Sequence, residues 1–440
     1  MSRVSKRARR VVFVCCDGLG IDWVTAAQTP VLHGIARASL WCASHRAVFP
    51  SVTRVSAASI ATGCHPARHG LHGNRMGLSE AGGFAVRDVG RPDFRSYMRR
   101  ATGTTLRVPT LAERTAPNGG FVAFSNVSPG AAYFLDPEHF GHVYHRAGSF
   151  SPGGDAIDKP DALDVSHDLA GDWAMTSRFC AEVLRQRQPA IAVLWLANPD
   201  LTLHGAPLGS PAHLEALRHT ERCVAAVAET VAALRADGTD ILLAIGSDHG
   251  QETIGDCVDL VAWLARHGLD AELDAGEVAV AGQGTAALFY ATPRARGRLL
   301  DALELMRAEP WAGEIVAAEH LEALGHAATD GVVAAINMAR RDAPNPHGVR
   351  GQRWTVAEDD KPASLGSGQH GGWGPDETRP FLLLNGGGLA PGRIEQPTAL
   401  VDMAPTFLDF LGLPQDGMDG VSLLRPDRIA PDRITGVRSP

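Results

Sequence analysis

VVFVCCDG, residues 11–18, sets six consecutive apolar residues directly before an acid and a glycine. A run this short and this uniformly apolar reads as a strand buried on both faces, as in a parallel sheet, and Asp-Gly ends it in a turn. The pattern recurs outward along the chain in GFVAFSNV (120–127), PAIAVLWLAN (189–198) and DILLAIGSD (240–248), and HRAVFP (45–50) reads as a further strand. Between them, TPVLHGIARASL (29–40), VSAASIATG (55–63), a segment around 170–187 and a long one over 210–236 carry helical spacing. This alternation predicts an α/β fold: a doubly wound, mostly parallel sheet flanked by helices.

Residues 254–360 have a different rhythm, with a helix over 257–267, strands at 277–282 and 286–292, a helix over 294–307 and a strand at 331–338. They predict a smaller α+β cap inserted in the core. The expected division is therefore 1–253 as the first part of the core, 254–360 as the cap, and 361–440 as the second part. That last part holds the strand RPFLLLN (379–385) and a closing helix LVDMAPTFLDFLG (400–412). A chain of 440 residues is long for a single core, which agrees with an insertion.

Balance of charge narrows the partners. With 41 Lys+Arg against 49 Asp+Glu the net charge is −8, so a polyanion-binding surface, and with it a nucleic acid polymer, is not expected. The first apolar run is too short for a signal peptide, and no stretch approaches the ~18 apolar residues of a membrane span, so the expectation is no membrane partner and a cytoplasmic location. Seven cysteines, two of them adjacent at Cys15 and Cys16 and none in a C-x-x-C pair, read as packing thiols in a reducing compartment.

Ligands of doubly wound sheets bind beyond the carboxyl ends of the strands. Asp17, Asp200 and Asp248 each follow a predicted strand. One such Asp is an ordinary turn former. Three of them, with His204 four residues after Asp200, His249 beside Asp248, and His370 in GSGQHGGWG (366–374), have the donor types of a two-metal site. No single dipeptide decides this, since the chain has 18 His and His-Gly occurs eight times. Thr53 is a seventh candidate. It opens a helical pattern, where free amides and the helix dipole favour an anion, and a metal on its hydroxyl would make it a usable nucleophile. Such a constellation points to phosphoryl transfer.

Taken in order, VVFVCCDG, FPSVT (49–53) with ATG downstream, HGLHGN (69–74), NPDLTLHG (198–205), SDHG (247–250) and GQHGG (368–372) resemble the alkaline phosphatase superfamily. The likeness is to its nucleotide pyrophosphatase/phosphodiesterase branch and to phosphonoacetate hydrolases, over roughly residues 10–75, 190–252 and 365–424. The resemblance implies an alkaline-phosphatase-like fold and two zinc ions, with other divalent metals as alternatives. One would be held by Asp200, His204 and His370, the other by Asp17, Asp248 and His249 with the Thr53 oxygen. It implies hydrolysis of a small phosphodiester or nucleotide pyrophosphate through a phospho-threonine, the substrate being a small anionic phosphate or phosphonate.

One motif departs from that branch, which carries Thr-Phe-Pro-Asn where this chain has Thr53-Arg54-Val55-Ser56. Ser56 offers a hydroxyl in place of an amide, Arg54 a guanidinium if it turns inward, and Asn74 a further substrate contact, while His69 and His72 are expected to hold the turn around them. Two alternatives remain. Phosphonoacetate-type C–P hydrolysis needs a cation for the substrate carboxylate, and an Arg must serve because Lys159 and Lys361 are the only lysines beyond the N-terminus. A non-catalytic ligand-binding relative has only Ser56 in its favour. Trp354 and Trp373 either stack on an aryl group or fill the core.

Overall fold

The computed structural model describes residues 9–357 and 364–425; Lys361 and the expected boundary at 360 lie outside them. Five parallel strands form the centre of the main sheet, in the order Asp240–Gly246, Arg9–Cys16, Ile191–Leu196, Phe121–Ser125 and His142–His145. Ten strands make up the whole sheet, and antiparallel partners, Leu382–Gly386 on one side and Ser149–Phe150 on the other, extend this core. In register, Val11 pairs Ile191 and Cys16 pairs Leu196, while Arg9 pairs Asp240 and Cys15 pairs Gly246.

Burial on both faces explains why these strands are apolar throughout. Val11, Phe13 and Cys15 face a cluster with Val55, Ile60, Phe407 and Leu408, whereas Val12, Val14 and Cys16 face one with Phe179, Val183, Val224 and Val227. The helices Thr53–Thr62 and Met403–Leu411 therefore cover one face. Leu169–Arg178, its π-helical continuation to Arg187, and Pro211–Ala236 cover the other. Each fully buried large aliphatic or aromatic side chain stabilises this arrangement by about 1.5–3 kcal/mol. The result is the doubly wound, mostly parallel α/β sheet that the alternation predicts.

A second, antiparallel sheet contains Val278–Gly282, Ala286–Ala291, Val332–Met338 and Ala312–Ala317. One face packs on Leu260, Leu264, Leu299 and Leu303; the other meets Phe49 and, at its margin, Phe84 and Val86 of the hairpin Arg75–Asp88. The small sheet thus leans on the segment that leads into Thr53.

Three local expectations change. The helix expected over 257–267 starts only at Leu260, because Glu252–Val258 is a strand pairing with Arg350–Val356 and the Asp259 side chain caps the helix at Ala262 N, 2.8 Å. HRAVFP contributes only His45–Arg46 to a strand; Pro50 has no N–H to offer a ladder, and Val52 N turns back to Pro50 O at 2.9 Å. The helix expected to reach residue 40 ends at Arg37, and Leu40–Cys42 joins the main sheet instead. Ser39 Oγ helps end it by donating to Ile35 O, 2.7 Å. All seven cysteines are free, five of them buried, as packing thiols should be. Among the described residues no helix is long and apolar enough to cross a membrane.

Candidate active site

Three neighbouring parallel strands end side by side and deliver Asp17, Asp200 and Asp248 to one place. Gly18 permits this closeness. It sits at φ +68°, and a Cβ there would stand 2.9 Å from Asp200 Cβ. Asp17 and Asp248 are each held by the fold through one oxygen: Asp17 Oδ2 accepts from Trp195 Nε1 at 2.9 Å, and Asp248 Oδ1 from the Gly18 amide at 3.1 Å. Their other oxygens, Asp17 Oδ1 and Asp248 Oδ2, are buried without a hydrogen-bond partner. Both approach His249 Nε2, at 3.5 and 3.2 Å.

The imidazole tautomers follow from their other contacts. His249 Nδ1 lies 3.0 Å from Gly250 O and must donate to it, which leaves a lone pair on Nε2. Thr53 Oγ1 is 3.2 Å from that Nε2 and donates. His370 Nδ1 likewise donates to Ser51 O at 2.8 Å, and its Nε2 lies 3.4 Å from Asp200 Oδ1. The rings of His249 and His370 stack with centroids 3.6 Å apart. Donor atoms of Asp17, Asp248 and His249 all lie within 4.8 Å of one another, as do those of Asp200, His249 and His370. His204 follows the short helix Asp200–Leu203, with Nε2 3.3 Å from Asp200 Oδ2; it is the most exposed of the set.

Lone pairs converge here with too few protons between them. Burial, then repulsion from Asp248 and Asp200, pushes Asp17 well above the usual carboxylate range, and burial pushes Asp248 up to about 7. Asp200 is pushed up by burial too, but His204 and His370 outweigh that and hold it well below the usual range. His249 is pulled well below an ordinary imidazole, by burial and by His370. Buried acids with unpartnered oxygens are costly unless a cation satisfies them. The donor set, carboxylate oxygen and imidazole nitrogen in two overlapping groups, fits divalent metal ions.

Thr53 is the first residue of the helix Thr53–Thr62 and is 8% exposed. Helical bonding begins with Ser56 N to Val52 O, 2.9 Å, so the first-turn amides before Ser56 point out of the helix end. A cavity of about 470 Å³ opens onto this point and is lined by Asp17, Thr53, Asn74, Asp200, His204 and His370, among others. Asn74 belongs to its wall. Its Oδ1 accepts from Arg54 N at 3.4 Å, which leaves its amide hydrogens for the cavity.

Of two residues expected at the substrate, Ser56 is placed differently and Arg54 turns inward to the cavity wall. Ser56 is fully buried, does not line the cavity, and has a hydroxyl with no hydrogen-bond partner, because the third residue after Thr53 faces the packing of the helix. Arg54 turns toward the cavity wall, not to solvent, and ion-pairs with Asp88 at 2.9 Å while donating to Asn74 O and Ser128 Oγ at 2.8 and 3.1 Å. His69 and His72 are buried structural groups: His69 Nε2 meets Ser59 Oγ at 3.0 Å, and His72 meets Asp330 at 3.4 Å. Trp373 packs edge-on against Phe49 with centroids 4.9 Å apart, and Trp354 packs against the small sheet; neither lines the cavity. Trp195 and Ser51 hold Asp17 and His370, and Arg146 lines the cavity, yet a lone Trp in an apolar run or an Arg in a turn gives no local signal.

No curated protein matches the chain. Among solved structures it is similar to an inactive variant of murine ectonucleotide pyrophosphatase/phosphodiesterase 5 in complex with AMP, at TM-score 0.67 and 17% identity, over 94% of this chain and 97% of that one. The murine protein without that change gives 0.66 and 15%, over 96% and 100%. The human counterpart gives 0.67 and 16%, over 93% and 97%. At these identities the likeness is one of fold. A family model for type I phosphodiesterase / nucleotide pyrophosphatase matches residues 11–373. The chain, with its strand-end acids, its threonine at the start of a helix and its alkaline-phosphatase-like sheet, belongs to the type I phosphodiesterase/nucleotide pyrophosphatase family of hydrolases.

Proposed function

We propose that this protein hydrolyses a small phosphodiester or nucleotide pyrophosphate by in-line attack of Thr53 Oγ1 on phosphorus, through a phospho-threonine intermediate. The observation that carries this reading is the convergence of Thr53 Oγ1, His249 Nε2, Asp17 Oδ1 and Asp248 Oδ2, two of them unpartnered, beside the cavity that Thr53 and Asp17 line. Two divalent ions, zinc by the nitrogen-and-carboxylate donor set, would be held by Asp17, Asp248, His249 and Thr53 on one side and by Asp200, His204 and His370 on the other. When bound, they supply charge neutralisation at the phosphoryl group and a lowered pKa for a bound hydroxyl.

The chain's own groups do the rest. Gly250 O fixes the His249 ring, so Nε2 presents its lone pair beside the Thr53 hydroxyl, where it would help hold the metal that acidifies that hydroxyl. First-turn amides and the helix dipole of Thr53–Thr62 favour the anionic phosphoryl oxygens beside Thr53. The Asn74 amide adds a donor on the cavity wall, in the position that Ser56 does not occupy. In-line displacement places the leaving oxygen opposite Thr53, toward Asp200, His204 and His370. Murine phosphodiesterase 5 in complex with AMP shows that a relative of this fold binds a nucleotide.

Purified protein of measured metal content, assayed on bis(p-nitrophenyl) phosphate, p-nitrophenyl phosphate, a nucleotide pyrophosphate and phosphonoacetate, tests the reading. Two bound metal ions per chain and faster turnover of the diesters than of the monoester are expected. Release of phosphate from phosphonoacetate alone would replace it with the C–P hydrolase.

A further inference from the structure

The wall of the cavity that carries Ser128 and His167 also carries Arg146, in the turn between the strands His142–His145 and Ser149–Phe150. Its guanidinium is half-buried, and among the described residues it forms no ion pair. Within hydrogen-bond distance, among the described residues, it meets His145 Nε2, 3.1 Å from Nη1. That neighbour is not an acceptor. His145 Nδ1 accepts the Ala147 amide at 2.9 Å, so its proton sits on Nε2, which donates to Val127 O at 2.9 Å. Burial pulls His145 down to about 4, so the ring is neutral near pH 7. Arg146 therefore faces an N–H, and on this wall of the cavity its guanidinium has no hydrogen-bond acceptor among the described residues.

A carboxylate does act on Arg146 from a distance, but it is spoken for. Asp172 accepts from Asn126 Nδ2, Asn198 Nδ2 and the amides of Ala197 and Asn198, at 2.8–3.1 Å. Burial lowers the Arg146 guanidinium below its ordinary value, yet an arginine keeps its charge at any physiological pH. His167 lines the same cavity and feels both Arg146 and Asp200, and the strand order Ile191–Leu196, Phe121–Ser125, His142–His145 sets Arg146 beyond Asp200 along the sheet.

We propose that Arg146 anchors a second anion subsite, so that the group leaving from phosphorus carries a carboxylate or a phosphate of its own. This rests on the in-line reading above, which sends the leaving group toward Asp200. Arg54, on the same cavity, does not compete for this role because Asp88, Asn74 and Ser128 hold its guanidinium in the wall. A guanidinium fork suits either anion, since both present two coplanar oxygens.

Three methyl aryl phosphates separate the possibilities, with a carboxylate, a phosphonate or an uncharged carboxamide at the meta position of the leaving phenol. We expect wild-type kcat/KM to favour one or both charged rings over the carboxamide by about 10-fold to 100-fold, the scale of a charge-assisted hydrogen bond. Whichever charged ring leads identifies the anion. Arg146→Ala should bring that ratio close to one and Arg146→Lys restore part of it. A wild-type ratio near one, or a ratio unchanged in Arg146→Ala, overturns the subsite. If none of the three esters nor bis(p-nitrophenyl) phosphate is turned over, it is the phosphodiesterase reading that fails. The wild-type ratio stands as a test even if the variants do not fold.

Discussion

Thr53, Asn74 and Ser56 lie on or near one helix end, yet the structure gives them different consequences. Thr53 caps nothing with its side chain, so Thr53→Ala should keep the fold while lowering kcat by at least about 10³-fold, measured on bis(p-nitrophenyl) phosphate. Loss of the Asn74 amide in Asn74→Ala should cost about 10²-fold in kcat, the scale of one oxyanion donor. Ser56→Ala removes a buried hydroxyl that has no partner; kcat/KM should stay within about twofold and the midpoint of thermal unfolding should hold or rise. The donors were legible in the sequence because Asp17, Asp200 and Asp248 each end an unmistakable strand. Ser56 was misplaced because motif position carries no information on which way a helix face turns. Arg146 has no signal in the sequence for a related reason: its surroundings depend on the tautomer of His145, set by Val127 and Ala147.

At the scale of elements, the loop bearing His370 depends on groups far away in sequence. Glu377 accepts from the amides of Gly372 and Gly374 at 3.0 and 2.9 Å, and Arg353, 3% exposed, joins it to Glu252. Gly371 is indispensable beside it, because at φ +130° a Cβ would lie 1.5 Å from Gln283 O. Arg353→Met should leave the buried Glu377 without its cation and Glu252 with Arg340 alone, lowering stability by about 3–5 kcal/mol in urea unfolding and weakening metal retention at Asp200 and His370. Strands buried on both faces could be read directly from their composition. Glu252–Val258 could not, since its partner Arg350–Val356 is nearly a hundred residues away and its own composition is polar.

Taken as a whole, the molecule keeps several imidazoles buried and neutral. Burial pulls His45 and His326 down to about 3, and His145 and His213 down to about 4, from an ordinary 6.5. The unfolded chain takes up protons below the ordinary value while the folded one does not, so this stability is complete above pH 6.5 and is lost as pH falls toward 4. His145 and His213 should each cost roughly 3 kcal/mol near the end of that window. Urea midpoints recorded from neutral pH downward should fall steeply through it, and a flat profile would contradict the buried neutral state. The doubly wound sheet itself was readable from the sequence, because parallel strands and crossover helices announce themselves by period. The docking of the small sheet against Phe49 was not, because it rests on side chains brought together only by the complete fold. The most direct test of the account is rapid acid quench of metal-loaded enzyme turning over a phosphodiester, followed by mass spectrometry of the peptide that contains residue 53. The account predicts a phosphoryl adduct on Thr53 that forms within the first turnover and is absent from Thr53→Ala; undiminished hydrolysis by that variant, with no adduct in either protein, would contradict it.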